Sequence, residues 1–155
     1  MGRGAAGLEV MPAARARQEM KKVFDRAIHQ HLPVPMERGA AERMFGLGND
    51  DLKFLLNRYE FHPDVMFDAA DDVSIWLPEF SIYGTGATFD EAKEDLLEEV
   101  LAYVAEYFSE DPALRSAPNR RSHYPYALRV AAAAFDDELE VVLFSQPAEP
   151  AAGAR

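Results

Sequence analysis

Between Val73 and Tyr107 the spacing of apolar residues changes from two to three or four. Val73, Ile75 and Leu77 alternate with Ser74 and Trp76, the period of a strand with one buried face. Pro78 has no N–H to give to a ladder and ends it. Ser81-Ile82-Tyr83 is a short second apolar run, after which Gly84-Thr85-Gly86 predicts a turn. Thr88 then stands three residues before Glu91, the spacing of a capping box. Beyond it Phe89, Ala92, Leu96, Val100, Tyr103 and Tyr107 mark one face of a long amphipathic helix. The other face carries Asp90, Glu91, Glu94, Asp95, Glu98, Glu99 and Glu106 against Lys93 alone.

Upstream, Leu8-Glu9-Val10 predicts a short strand before Pro12, which suits the first turn of a helix. That helix is expected from about Ala13 to His31, with Ala16, Met20, Val23, Phe24, Ala27 and Ile28 as its apolar stripe; Pro33 and Pro35 close it. Val34 to Glu37 and Ala41 to Leu47 flank Arg38-Gly39 as a hairpin. Asn49 is a candidate N-cap for a helix over Asp51 to Tyr59, with Leu52, Leu55 and Leu56 turned inward. The order is β-α-β-β-α. Glu60 to Pro63 forms a joint, Phe61 and Val65-Met66-Phe67 a strand, and Asp71-Asp72 a turn. After the long helix, Ser109 to Pro118 reads as a loop. Tyr126 to Ala133 and Leu139 to Phe144, around Asp136-Asp137, read as a final hairpin.

Composition narrows the function classes. The chain has 155 residues, 48% of them apolar, enough for one or two small cores. With no cysteine, disulfides and thiolate metal sites are excluded. No apolar run approaches the ~18 residues of a membrane span, and no signal-peptide core is evident, so a cytoplasmic location is expected. The expected organisation is one module over residues 1–59, a second over 60–146, and a disordered tail over 147–155.

The net charge of −11 is unevenly distributed. Residues 1–59 hold ten Lys/Arg against seven Asp/Glu; residues 60–155 hold six against twenty. Such asymmetry implies two kinds of partner, phosphate for the basic half and a basic protein for the acidic one.

Two family resemblances follow. Leu77, Pro78, Glu79, Phe80, Gly86, Thr88, Glu91 and Ala92 form a string that resembles the HicB-type antitoxin domain, a partial ribonuclease H-like α/β sheet with one long helix. That resemblance implies a non-catalytic module that occupies a small RNA-cleaving toxin. Ala14, Arg15, Met20, Phe24, Asp25, Ala27, Val34, Met36, Arg38, Gly39, Phe45, Leu47, Asp51, Leu55 and Leu56 are spaced similarly to the Phd/YefM (prevent-host-death) antitoxin module. This second resemblance implies a β-α-β-β-α unit that dimerises and grips operator DNA. In that family a C-terminal extension covers the toxin. Here a folded module is expected in its place, which departs from the usual binding mode. The fold class expected is therefore α+β, a Phd/YefM-like module followed by a HicB-like sheet.

Candidate site residues divide the same way. Arg3, Arg15, Arg17, Lys21 and Lys22 gather at the N-terminus and on the first helix, where a two-fold dimer presents them twice to phosphates. Trp76, Phe80, Tyr83, Glu94 and Glu98 are the candidate toxin contacts, since Trp and Tyr are frequent interface anchors and acid complements a basic toxin.

An enzyme is not expected, nor any cofactor or metal. Asp64, Asp68, Asp71, Asp72 and Glu91 would have to converge for a two-metal nuclease, but Asp71 and Asp72 look like turn residues, Asp68 precedes a turn and Glu91 is a cap. His29, His31, His62 and His123 are scattered. The function expected is a type II antitoxin that binds its toxin and represses its own operon. A stand-alone DNA-binding regulator and, further off, a metal-dependent nuclease are the alternatives.

Overall fold

The computed structural model describes residues 5–145, so the expected disordered tail over 147–155 and the candidate Arg3 lie outside the described residues. The chain divides into two compact units, Met1–Leu55 and Leu56–Arg155, and it is a mixed α+β fold with one three-stranded sheet in each.

In the first unit β1 is only Met11–Pro12. It pairs in parallel with β2 (Val34–Arg38), which pairs antiparallel with β3 (Glu42–Gly46). The strand expected at Leu8 to Val10 thus lies one step later, because Met11 is the residue with a buried side chain to anchor it. Pro12, lacking an N–H, sits at the N-cap of α1 (Ala13–Gln18). The helix expected as one piece is broken at Glu19, resumes as α2 (Met20–Phe24), and widens into a π-helical turn over Asp25–His29. His31 adopts a left-handed φ of 53° and ends the run before Pro33. The helix α3 (Asn49–Leu56) begins two residues before the expected Asp51. Leu55, expected inward, is 56% exposed, whereas Leu56 is buried; an eight-residue helix can bury only a narrow stripe.

In the second unit β4 (Asp64–Phe67), β5 (Val73–Leu77) and β6 (Ile82–Gly86) form an antiparallel sheet in that order. Gly84 and Gly86 are strand residues rather than the expected turn. The chain reverses instead at Pro78–Ser81, where Ser81 N–H donates to Pro78 O and Ser81 takes φ 58°. Both glycines are required by closeness: a Cβ on Gly84 would stand 2.4 Å from Ala92 O, and one on Gly86 2.6 Å from Ala92 N. With no Cβ at these two helix-facing positions, α4 (Phe89–Tyr107) lies directly on the strand backbone. Thr88 caps α4, accepting from Glu91 N–H at 3.2 Å, while the Glu91 carboxylate accepts from Ala87 N–H at 2.8 Å. Two orphan amides are thereby satisfied.

After the short α5 (Ala113–Ser116), the expected final hairpin is absent. Tyr124–Phe135 is helix α6 and Leu139–Phe144 helix α7. Short apolar runs do not by themselves separate strand from buried helix. Four consecutive alanines, Ala131 to Ala134, and Pro125 in the first turn favour helix. The sheet therefore gains no strands. Instead α6 and α7 join α4 on one face, sealing a core that includes Phe61, Ile75, Leu77, Phe80, Leu96, Val100, Tyr107, Val130 and Leu143. Among the described residues no helix is long and apolar enough to cross a membrane.

Candidate functional site

The expected DNA-contacting residues lie on α1 and α2 in unequal states. Arg15 is committed internally: its guanidinium meets Glu9 at 2.7 Å and Glu19 at 2.8 Å. Those hydrogen bonds raise the Arg15 pKa and hold Glu9 below the usual carboxylate range. Arg17, Lys21 and Lys22 are exposed, and none forms an ion pair among the described residues. Arg17 lies in α1 and Lys21 and Lys22 in α2, on either side of the break at Glu19. Arg38 is held by the Glu42 carboxylate across the β2–β3 turn, an arrangement that serves the hairpin.

The same unit exposes much of what the sequence marked as core. Ala16, Val23 and Ala27 are buried, but Met20, Phe24 and Ile28 on the adjoining stripe are 45%, 57% and 44% exposed. On the hairpin Met44 and Phe45 are also exposed, 61% and 55%. An open cleft of about 910 Å³ separates helix and hairpin, lined by Ala16, Met20, Val23, Met36 and Met44, with Arg17 at its rim. This apolar surface was missed by residue-level reading. Its signal was the width of the stripe, which a two-stranded hairpin cannot cover.

The candidate toxin contacts of the second unit are not brought to one place. Strand alternation turns Ile75 and Leu77, each 0% exposed, toward α4, and Trp76 to the opposite face. There Trp76 pairs in register with Tyr83, with ring centroids 4.3 Å apart. Tyr83 is half exposed. Met66, two residues from Asp64, the partner of Trp76, shares this outer face. Phe80 is 1% exposed, its ring packed against Phe61, Tyr103 and His123. Glu94 and Glu98 are exposed. They lie opposite the buried positions Ala92, Leu96 and Val100 on the α4 wheel, so they face away from the sheet. Aromatic pair and acidic pair thus occupy opposite sides of this unit.

Several polar contacts were not legible. His62 Nδ1 lies 2.6 Å from Glu79 Oε1, and Tyr103 Oη 2.6 Å from His123 Nδ1. Burial, with the nearby Arg120 charge, lowers the His123 pKa, and its ring nitrogen and the Tyr103 hydroxyl share one hydrogen bond. Desolvation raises the Tyr103 pKa. Arg129 donates to Tyr59 O at 2.6 Å, and burial lowers its pKa. Two of the carboxylates that a nuclease reading would need have structural partners. Asp68 accepts from Ala70 N–H and Asp72 N–H in a turn, and Glu91 closes the α4 cap. Among the described residues no group of three or more His, Asp or Glu is placed to hold a metal ion.

Two small α+β units, one basic and one acidic, with apolar surface left open on both, have the features of a protein built for partners. Comparison with known proteins gives the class. The PHD_like family model, described as "Antitoxin of toxin-antitoxin, RelE / RelB, TA system", matches residues 7–145, and the chain belongs to this family of antitoxins. A crystal structure described as the antitoxin part of a proposed toxin/antitoxin system from Syntrophomonas wolfei subsp. wolfei shares the fold. Its TM-score is 0.71 at 21% identity, over 87% of this chain and 96% of that one. No match is found among curated proteins.

Proposed function

We propose that this antitoxin works through two interfaces, a Phd/YefM-like homodimer that represses its own operon and a HicB-like unit that occupies a small basic toxin. The observation that carries the reading is the division of surface chemistry between the units. Residues 1–59 combine a net basic charge with the exposed Met20, Phe24, Ile28, Met44 and Phe45. Met20 and Met44 line the same open cleft, and a second copy is the cover proposed for it. Dimerisation doubles Arg17, Lys21 and Lys22, with Arg3 and Arg15 nearby in sequence, and gives the two-fold array that a palindromic operator matches.

Residues 60–146 carry the excess of acid. RNA-cleaving toxins are basic because their substrate is anionic, and an acidic module with an exposed Tyr83 stacked on a partly exposed Trp76 is complementary to such a surface. Trp76 and Tyr83 are the proposed anchors. Glu94 and Glu98, on the opposite face, act through the field of the unit or through a toxin segment that wraps around it. Phe80, enclosed in the core, is not available to the toxin in this state. The mechanism is steric and electrostatic occlusion, with no catalytic step. Co-expression with the product of the neighbouring reading frame tests the reading. A stable complex with a small basic protein that arrests growth alone supports it. A chain that shifts its promoter DNA yet binds no such protein would establish a stand-alone regulator instead.

A further inference from the structure

The sheet of the second unit has two edges, and they are finished differently. Along β6, Thr85 N–H donates to Asp95 Oδ2 at 2.8 Å, and just beyond it Ala87 N–H donates to Glu91 Oε2 at 2.8 Å. Side chains of α4 thus occupy backbone groups at that edge. Among the described residues β4 pairs only with β5, and no described strand joins its outer edge. Proteins usually blunt a free edge with charge, proline or a bulge. Here the strand is Asp64-Val65-Met66-Phe67, all exposed, with Val65, Met66 and Phe67 at 37%, 40% and 69%.

A groove runs beside this edge. Val65 and Phe67 pair in register with Ile75 and Val73, so they stand on the helix side of the sheet. There α7 stops short of covering them, leaving a cleft of about 750 Å³ lined by Phe61, Pro63, Val65, Phe89, Leu143 and Phe144. An unpaired edge beside an apolar groove has the geometry of strand addition: an incoming backbone takes the free ladder positions while alternate side chains enter the groove.

Charge selects the occupant. Between Arg58 and Lys93 there is no Lys or Arg, whereas Glu60, Asp64, Asp68, Asp71, Asp72, Glu79, Asp90 and Glu91 fall in that interval. Lys93, at the groove, is ion-paired to Glu140 at 2.7 Å and to Asp90 at 3.6 Å. Nucleic acid is repelled by such a surface. A second copy would set the same acidic clusters against each other, which like-charge repulsion opposes. We infer that the β4 edge takes an extended basic segment of the toxin by strand addition, with apolar side chains at alternate positions filling the groove. This deepens the proposed function and rests on it.

The test uses the full chain and the purified product of the neighbouring reading frame as probe. Val65→Lys and Phe67→Lys change exposed side chains and place cations where a basic strand would dock. Each is expected to weaken toxin affinity by about tenfold or more while circular dichroism and melting stay as in the wild type. Hydrogen exchange on the wild-type complex is expected to show new protection at residues 64–67, and it decides the matter should a lysine variant melt early. Wild-type affinity in both variants, or unchanged exchange at 64–67 in the complex, overturns strand addition alone. A wild-type chain that binds no toxin overturns the proposed function with it. Variants that alter the mass of the free chain and not its toxin affinity assign the edge to a second copy, and this also overturns the inference.

Discussion

In the first unit the described buried cluster consists of Met11, Ala16, Val23, Ala27 and Val34, while Met20, Phe24, Met44 and Phe45 stand in solvent. In the second, fourteen buried residues enclose one another, twelve from β5, α4, α6 and α7 with Phe61 and Phe80 from the connecting segments, and the charge surplus is acidic. The difference is one of stacking. The first unit lays a broken helix on a hairpin whose outer strand is exposed along most of its length. The second presses a 19-residue helix onto a strand whose helix-facing positions Gly84 and Gly86 carry no side chain, then adds two more helices. A small unit buries a low fraction of its surface and is marginal by itself. Stability in the first unit is therefore expected to depend on a partner, and in the second on its own packing.

The largest effect that would sharpen this contrast is in the second core. Leu96→Ala, at a position with no exposure, is expected to cost about 2–5 kcal/mol. Urea unfolding monitored by Trp76, the single tryptophan, should move accordingly, with no change in the mass of the native chain. The converse applies to the first unit. Phe24→Asp with Met44→Asp places charge on the open apolar surface and should leave the core of the second unit untouched. By light scattering the mass should fall to that of one 17.3 kDa chain. A monomeric wild type would remove the distinction between the units.

Smaller effects probe how the second unit is held. Thr88→Ala removes the acceptor for Glu91 N–H and should cost about 1 kcal/mol, read by thermal unfolding. Acid should act through His123. Its pKa is lowered in the folded state, so the native protein binds its proton less readily than the unfolded chain. The associated stability is present above the ordinary histidine range, near 6.5, and is lost as pH falls through the lowered value. A His123→Gln variant should flatten that part of the pH–stability curve.

Much of this was legible from period alone. β5, the Thr88 cap and the length of α4 follow from local rules, since each depends on residues close in sequence. The hairpin over Val34 to Gly46 did as well. What escaped was set by tertiary contact. Gly84 and Gly86 look like a turn until α4 is seen lying on them, and an apolar run as short as Tyr126 to Ala133 reads as strand or as buried helix until its place in the core decides. The site was legible in its residue types and less so in its placement. Trp76 and Tyr83 do meet, whereas Phe80 is enclosed and Glu94 and Glu98 point the other way. Alternation assigns a face to a strand residue, but it cannot say which side the helices will cover.

The central claim is that each unit serves its own partner. A toxin titration of the Arg17→Ala, Lys21→Ala double variant tests it most directly, alongside operator binding by the same preparation. Operator affinity is expected to fall, with the slope of log K against log salt reduced by about 0.9 for each phosphate no longer neutralised, while the toxin Kd stays at the wild-type value. A parallel weakening of toxin binding would contradict the division of labour.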